Sequence, residues 1–278
     1  MLKLFFSSYL IILLTTPLFP QKGTDSVTIP IQEYEPSDRF GLWLGYFGPS
    51  FEASVRVNSR TLGLGSYVRL ENAFELPTTQ NVFRVEAYFR ITKHHKIRAG
   101  YYGLSRDGSS VLERELRIGD NVYPVGSVAI AEEKFDIFKL IYAYSIVNNE
   151  EIESGVSAGI SIIRYFLDSK REVLGFENKT EVDVTLPVPV LGLHTIYHLW
   201  KRFDALFYVN FFSVKIDIYD GLLFDAGLGI QYFLIDQVAL GLGFNIFKLD
   251  VFVDDPGEFQ GRINYFHQGI AFYALFTF

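Results

Sequence analysis

Cysteine is absent from the 278 residues, which excludes a disulfide-stapled secreted domain and a lipoprotein acylated on its first mature residue. A surplus of positive charge is missing as well: the formal net charge is −7, and without a basic surface to displace counterions nucleic acid is excluded as a partner. No apolar run reaches the ~20 residues of a membrane helix. The run from Leu4 to Leu14 follows the basic start Met1-Leu2-Lys3 and precedes Thr15-Thr16-Pro17-Leu18-Phe19-Pro20-Gln21, the build of a secretory signal peptide. Residues 1–20 are therefore expected to direct export and to be removed, with cleavage near residues 19 to 22, although no small-x-small site stands there. Stretches rich in Ala, Glu, Leu and Lys are missing, and methionine occurs once and tryptophan twice.

What is abundant is aromatic: 27 Phe and 17 Tyr, beside 23 Gly, a balance that favours strands over helices. Gln21 to Asp38 is polar, carries Pro30 and Pro36 and lacks periodicity, so 21–38 is expected to be a flexible periplasmic lead-in. From residue 39 the pattern changes. Phe83, Val85, Ala87, Phe89 and Ile91 alternate with Arg84, Glu86, Tyr88 and Arg90, the period of two that gives a strand one greasy and one charged face. Phe224, Ala226, Leu228, Ile230 and Tyr232 alternate in the same way with Asp225, Gly227, Gly229 and Gln231, and Val238, Leu240, Leu242 and Phe244 with Gly241, Gly243 and Asn245. Weaker versions run through 97–106, 135–145, 152–166, 188–199 and 206–218. In the last, Leu206, Tyr208, Phe212, Val214 and Ile216 are expected to face out and Ser213, Lys215 and Asp217 to face in.

The connections alternate too. Thr92-Lys93-His94-His95, Val147-Asn148-Asn149-Glu150, Leu199-Trp200-Lys201-Arg202 and Leu234-Ile235-Asp236-Gln237 are short, whereas 107–134 and 168–183 are long and charged. Strands of about ten residues, short turns on one side and long loops on the other describe an outer-membrane barrel. The fold class implied is all-β: residues 39–278 form a single antiparallel transmembrane β-barrel with both termini periplasmic. Counting back from Phe278 gives nine strands down to the one at Val82, and a tenth rises within 40–57; eight and twelve strands are the alternatives. Thr61 to Leu76, with Leu62-Gly63-Leu64-Gly65, Tyr67, Arg69 and Glu71, then has no crossing of its own and extends an outer hairpin or folds into the lumen. The last segment sets Ile270, Phe272, Ala274, Phe276 and Phe278 on one face and ends on an aromatic, where such rings settle at the membrane edge. Phe272, Phe276 and Phe278 therefore read as the C-terminal signal for barrel-assembly machinery.

Several local strings, Ser105-Arg106-Asp107-Gly108, Asp217-Ile218-Tyr219-Asp220-Gly221, Gly241-Leu242-Gly243-Phe244-Asn245, Phe247-Lys248-Leu249 and Leu249-Asp250-Val251, resemble those of a family of small, functionally uncharacterised outer-membrane β-barrel proteins of Gram-negative bacteria. The resemblance runs from about Arg56 to the C-terminus. It implies the barrel fold and an outer-membrane location and brings no catalytic residues. Phe252 and Pro256-Gly257 depart from the family's run of acidic residues in that loop.

Chemistry would rest on few residues. His94 and His95 fall in a short turn. His194 and His198, four apart on a strand, are roughly 13 Å from one another at ~3.3 Å per residue, too far to share a metal, and read as lumen or interface side chains. His267 is the remaining base, with Asp250 or Ser213 as partners from neighbouring strands. Asp217, Asp220, Asp225, Asp250, Asp254, Asp255 and Glu258 gather at the predicted outer strand ends, where carboxylates hold divalent cations or bridge to lipid phosphates, or form a solvated rim. Arg84, Glu86, Arg90, Arg98, Arg106, Lys139, Lys215, Asp217, Asp225 and Lys248 are expected on the lumen face. Charges of both signs there must pair, because one buried alone costs several kcal/mol. The expected function is therefore a non-enzymatic outer-membrane barrel, either a structural or surface-interaction protein or a narrow channel with a charged, side-chain-filled lumen. No cofactor is expected, and the partners are outer-membrane lipids and, during insertion, the assembly machinery. A lipid- or peptide-modifying barrel enzyme using His267 is the alternative.

Overall fold

The computed structural model describes residues 38–278, apart from 59–64, 119–120, 174–175, 217–218 and 255–259. The expected signal peptide, nearly all of the lead-in, Leu62-Gly63-Leu64, Pro256-Gly257 and the carboxylates of Asp217, Asp255 and Glu258 lie outside the described residues. In chain order the elements are β1 (Phe40–Val57), β2 (Val68–Arg69), α1 (Leu70–Ala73), β3 (Val82–Arg90), β4 (His95–Val111), β5 (Leu116–Ile118), β6 (Asn121–Tyr123), β7 (Val128–Asn148), β8 (Ile152–Val173), β9 (Phe176–Trp200), β10 (Phe203–Ile216), β11 (Tyr219–Ile235), β12 (Val238–Asp254) and β13 (Gln260–Thr277).

A strand greasy on one face must bury or immerse that face, and a membrane tolerates no unpaired sheet edge. Both demands are met by closure. The strands run β13-β12-β11-β10-β9-β8-β7-β4-β3-β1, and β13 pairs back onto β1 from Gly41↔Thr277 to Val57↔Gly261. Ten antiparallel staves result, with β2 added at the side of β1 and β5–β6 as a separate small hairpin. Short turns join β3 to β4, β7 to β8, β9 to β10 and β11 to β12 at one end, here termed the turn end. The C-terminus lies at the same end, where the Phe278 carbonyl accepts from the amides of Arg39 and Phe40 at 2.8 and 2.9 Å. The tenth stave rises at 40–57, as the parity of the short turns requires.

Outward-facing side chains near the turn end form a continuous apolar band: Phe40 and Tyr46 on β1, Phe83 and Phe89 on β3, Phe138, Leu140 and Tyr142 on β7, Leu228 and Tyr232 on β11, Ile270 and Phe272 on β13. Above the band the outward positions turn polar, while the strands go on. Of the segments expected as loops, 107–134 is ladder at both ends, around a 112–127 connection that carries the small hairpin, and the described residues of 168–183 are ladder: β4 pairs with β7 up to Val111↔Val128, and β8 with β9 up to Val173↔Phe176. Asp107, Lys134, Lys170, Glu181 and Asp183 are exposed on the outer face, which meets water there, and the inner face is largely apolar, with buried Glu133 an exception. Ala129, Ala131, Phe135, Ile163, Tyr165, Leu167 and Val182 are all buried. Loop composition thus marks the change of solvent outside the barrel rather than the end of a strand.

β3 has nine residues against eighteen in β1 and seventeen in β4, which leaves a gap in the wall above Val82. Residues 65–81 fill it. On the β1 side, the Phe51 amide donates to the Thr78 carbonyl at 2.8 Å, and Ser54 and Val55 pair with Arg69 and Val68. On the β4 side, Ser110 Oγ donates to the Ala73 carbonyl at 2.8 Å, and Gly108 admits this approach, since a Cβ there would collide with the Phe74 carbonyl oxygen. Leu70, Phe74 and Leu76 join the core inside. The described part of the stretch expected to extend a hairpin or enter the lumen, residues 65–76, patches the wall instead.

Candidate functional site

The lumen is stratified. Nearest the turn end, Glu153 on β8 lies between Arg90 at 3.0 Å and Lys96 at 2.9 Å and accepts from Ser145 Oγ at 2.8 Å. Arg90 also reaches Asp38 at 3.5 Å, and the Tyr88 hydroxyl donates to that same carboxylate. Across the barrel, His198 Nδ1 lies 2.8 Å from Asp204 Oδ1, and Gln231 Nε2 donates to Asp204 Oδ2 at 2.9 Å. Between these groups is a cavity of about 640 Å³, open at the turn end.

The middle layer carries Arg84, Arg98 and Lys139 against Glu86 and Asp225. Arg84 Nε donates to Glu86 at 2.6 Å, Arg98 lies 3.4 Å from the same carboxylate, and Lys139 lies 2.6 Å from Asp225. Asn210 Nδ2 donates to Asp225 at 3.2 Å, the Tyr208 hydroxyl at 3.3 Å, and Asn245 donates to Tyr208 at 2.8 Å. The network is dense because a buried charge left alone costs several kcal/mol. Room for the rings comes from small residues in the wall. Tyr273 lies across Gly241, where a Cβ would collide with its ring, the cross-strand cover by which an aromatic protects a strand glycine.

Above this layer the lumen is sealed by aromatics. Phe135 stacks on Tyr265 with centroids 3.8 Å apart, Phe247 stacks on His267 at 5.0 Å, and Phe47 and Phe51 close in edge-on. Higher still, beyond the level of the apolar band, Arg106 is 1% exposed and Glu133 is fully buried. Arg106 bonds Glu133 and, at 2.9 Å each, Glu71 and the Pro77 carbonyl. Glu71 also accepts from the Ala53 amide of β1 at 2.9 Å. Burial pushes the Glu133 carboxyl up from its ordinary value, against the pull of the Arg106 guanidinium.

Of the charges expected in the lumen, Arg84, Glu86, Arg90, Arg98, Arg106, Lys139 and Asp225 face it, whereas Lys215 and Lys248 do not. Lys215 is 85% exposed in its side chain, near Asp220. The whole of β10 is turned over relative to the expectation: Leu206, Tyr208 and Asn210 line the lumen while Phe207 and Phe211 face out. One step of register flips every side chain, and the polar handles of Tyr208 and Asn210 decide it, because both find partners inside. In β12 the inward series Gly241, Gly243, Asn245 continues through buried Phe247 and Leu249, so Lys248 points out.

His267 is 2% exposed and lies in the aromatic seal, its Nε2 3.3 Å from the Tyr102 hydroxyl. Neither expected partner reaches it: Asp250 pairs outside with Arg262 at 2.7 Å, and Ser213 is exposed on the outer face of β10. The other described rim carboxylates are also engaged separately, Asp220 near Lys215 at 3.9 Å and Asp254 with Gln260 at 2.5 Å. Among the described residues no group of three or more His, Asp or Glu converges on a metal position. His194 and His198 both face the lumen, and Phe272 and Phe278 face out. Glu71, Lys96, Glu133, Glu153 and Asp204 were not among the expected lumen residues. Lys96 shares parity with Arg98, and Glu153 with Ser157 and Ser161, a signal present in the sequence; Glu71 joins only through the wall patch.

The described geometry, a closed ten-stave antiparallel barrel with an apolar outer band and a polar interior, admits a direct comparison. The fold is that of outer-membrane β-barrel proteins. The outer membrane protease OmpT from Escherichia coli superposes with a TM-score of 0.58 over 88% of this chain and 98% of that one, at 11% identity. Neisserial surface protein A matches 86% of this chain and 97% of its own at 11% identity with a TM-score of 0.32, and Ail of Yersinia pestis 85% and 99% at 10% identity with a TM-score of 0.34. No protein-family model and no curated protein matches the sequence. At such identities the likeness to OmpT concerns the barrel and carries no residue roles.

Proposed function

We propose that this barrel is a non-enzymatic outer-membrane protein, exported by a cleaved signal peptide, with the turn end in the periplasm and a lumen that does not conduct. The observation that carries the reading is the seal. Phe47, Phe135, Tyr165, Phe247, Tyr265 and Arg106 are each under 2% exposed, and they come from β1, β4, β7, β8, β12 and β13, so they span the bore from opposite walls. The interior of a small barrel is narrow enough for side chains to fill it. The rigid tube that stands beyond the apolar band then presents its charged outer wall and loop tips as the surface-interaction part. Outer-membrane lipids contact the band, and the C-terminal ring series Phe272, Phe276 and Phe278, of which Phe272 and Phe278 are exposed, serves insertion by the assembly machinery. Planar-bilayer recording of the purified protein tests the proposal. A flat current trace is expected, and stepwise conductance would replace the scaffold with a channel. The alternative of an enzyme using His267 is weakened by its burial and by the outward placement of Asp250 and Ser213.

A further inference from the structure

The wall has a second gap, between β9 and β10. The two strands pair from Phe203↔Trp200 only as far as Phe211↔Leu191, although β10 runs on to Ile216 beside β11 and β9 reaches up to Phe176 beside β8. The sequence of β9 explains the stop. The His198 amide donates to the Glu151 carbonyl, on the β8 side, so by the alternation of an antiparallel ladder the even-numbered residues of β9 direct their amides to β8 and the odd-numbered ones to β10. Pro187 and Pro189 are odd. In the register of Phe211↔Leu191 they would stand opposite Lys215 and Ser213, and proline has no N–H to give.

Two lips result. The residues they turn inward, Val184 and Leu186 on β9 and Phe212 and Val214 on β10, are half-buried, whereas Ile137 and Ile163, which face inward from the closed β7–β8 pair, are fully buried. Outside, the seam begins in the apolar band: Leu191 and Phe211 at its foot are 68% and 47% exposed, and Pro187 and Pro189 stand beside Ile162 and Ile160 of β8. A sheet edge that meets lipid must find partners for its backbone. The amides of Ser213 and Lys215 point into the seam and have no ladder partner on that side among the described residues.

We propose that this seam is a lipid-binding site, in which one acyl chain of a membrane lipid lies between β9 and β10 against Val184, Leu186, Phe212 and Val214. Ester or phosphate oxygens of the same lipid accept from the Ser213 and Lys215 amides. The occupant follows from continuity: the seam opens sideways into the band that meets the bilayer, so a lipid reaches it without leaving the membrane. An added strand from another protein is the poorer fit, because the two prolines deny it donors on one lip. The inference goes beyond the scaffold reading and holds whichever end is periplasmic; with the turn end in the periplasm, the lipid comes from the outer leaflet.

Fluorescence in vesicles tests the seam. Trp43 and Trp200, the two tryptophans of the chain, are replaced by phenylalanine, and Phe212→Trp is reconstituted in phosphatidylcholine with brominated acyl chains, which quench tryptophan on contact, and in the unbrominated lipid. Phe211→Trp in the same background is the lipid-facing reference. The enclosed reference is the Trp200→Phe protein, in which Trp43 alone remains, inside a wall closed by β13 and β3. Quenching at position 212 is expected to approach that at 211, and to fall to the Trp43 level when Pro187→Thr and Pro189→Thr restore the donors and let the ladder close. Val214→Trp serves if Phe212→Trp fails to fold. The proposal is overturned by quenching at the seam no greater than at Trp43, by quenching that survives the two proline replacements, or by quenching lost as the protein-to-lipid ratio rises, which would give the seam to a second copy of the chain.

Discussion

Replacing Arg106 by methionine should open the wall of this barrel above β3 while leaving the staves closed. In the folded protein Arg106 bridges Glu133 and Glu71, and it also holds the Pro77 carbonyl. Glu71 in turn is bonded to the backbone of β1, so one guanidinium ties residues 65–81 to both sides of the gap. Removing one member of a buried ion cluster costs about 3–5 kcal/mol, because the partners stay buried without compensation. At 1.36 kcal/mol per decade, opening of the patch should rise by roughly two to nearly four orders of magnitude. Hydrogen exchange of the Phe51 and Ala53 amides, which bond Thr78 and Glu71, measures that opening. Burial holds the Glu133 carboxyl above its ordinary value, and loss of the cation raises it further. A carboxyl raised in the folded state favours folding when protonated, and that advantage is lost as pH rises through the folded value. The exchange defect should therefore be smaller at pH 5 than at pH 8. Combining Arg106→Met with Glu133→Leu and Glu71→Gln removes the stranded charges and should restore protection, as apolar replacement of buried ion clusters commonly does. Exchange at Phe51 and Ala53 within threefold of the parent in the single variant would refute the tether.

Three further outcomes follow from the layers. Glu153→Leu leaves Arg90 and Lys96 without their shared carboxylate and should lower the temperature at which the heat-modifiable gel band is lost, with a cost of about 3–5 kcal/mol; an unchanged temperature would contradict the buried pairing. Gly241→Val forces the Tyr273 ring off the wall, so refolding yield should fall and recover when Tyr273→Ala is added, which fails if the ring does not lie there. Lys215→Gln and Lys248→Gln, both on the outer face, should each change stability by less than about 0.5 kcal/mol; a loss of several kcal/mol would return them to the lumen.

The period-two alternation in 82–91, 224–232 and 238–245 is a local property, written residue by residue, and a strand has only two faces. From it the barrel, the lumen placement of Arg84, Glu86, Arg90 and Asp225, and the ten staves were legible by sequence alone, with the parity of the short turns supplying the count. In β10 the rule was ambiguous, since Phe207, Phe211, Tyr208 and Phe212 make both faces aromatic, and only the partners offered by Asp225 on the neighbouring strand and Asn245 on the next decide which one is inside. The charged segments 107–134 and 168–183 looked like loops because sequence composition records the solvent outside the wall and not whether a ladder continues beneath it. The patch at 65–81 and the role of Glu71 depend on β3 being short, a gap that exists only once β1 and β4 stand beside it. What the sequence determined is what repeats along a strand. What tertiary structure decided is everything that depends on which side chain meets which across the bore.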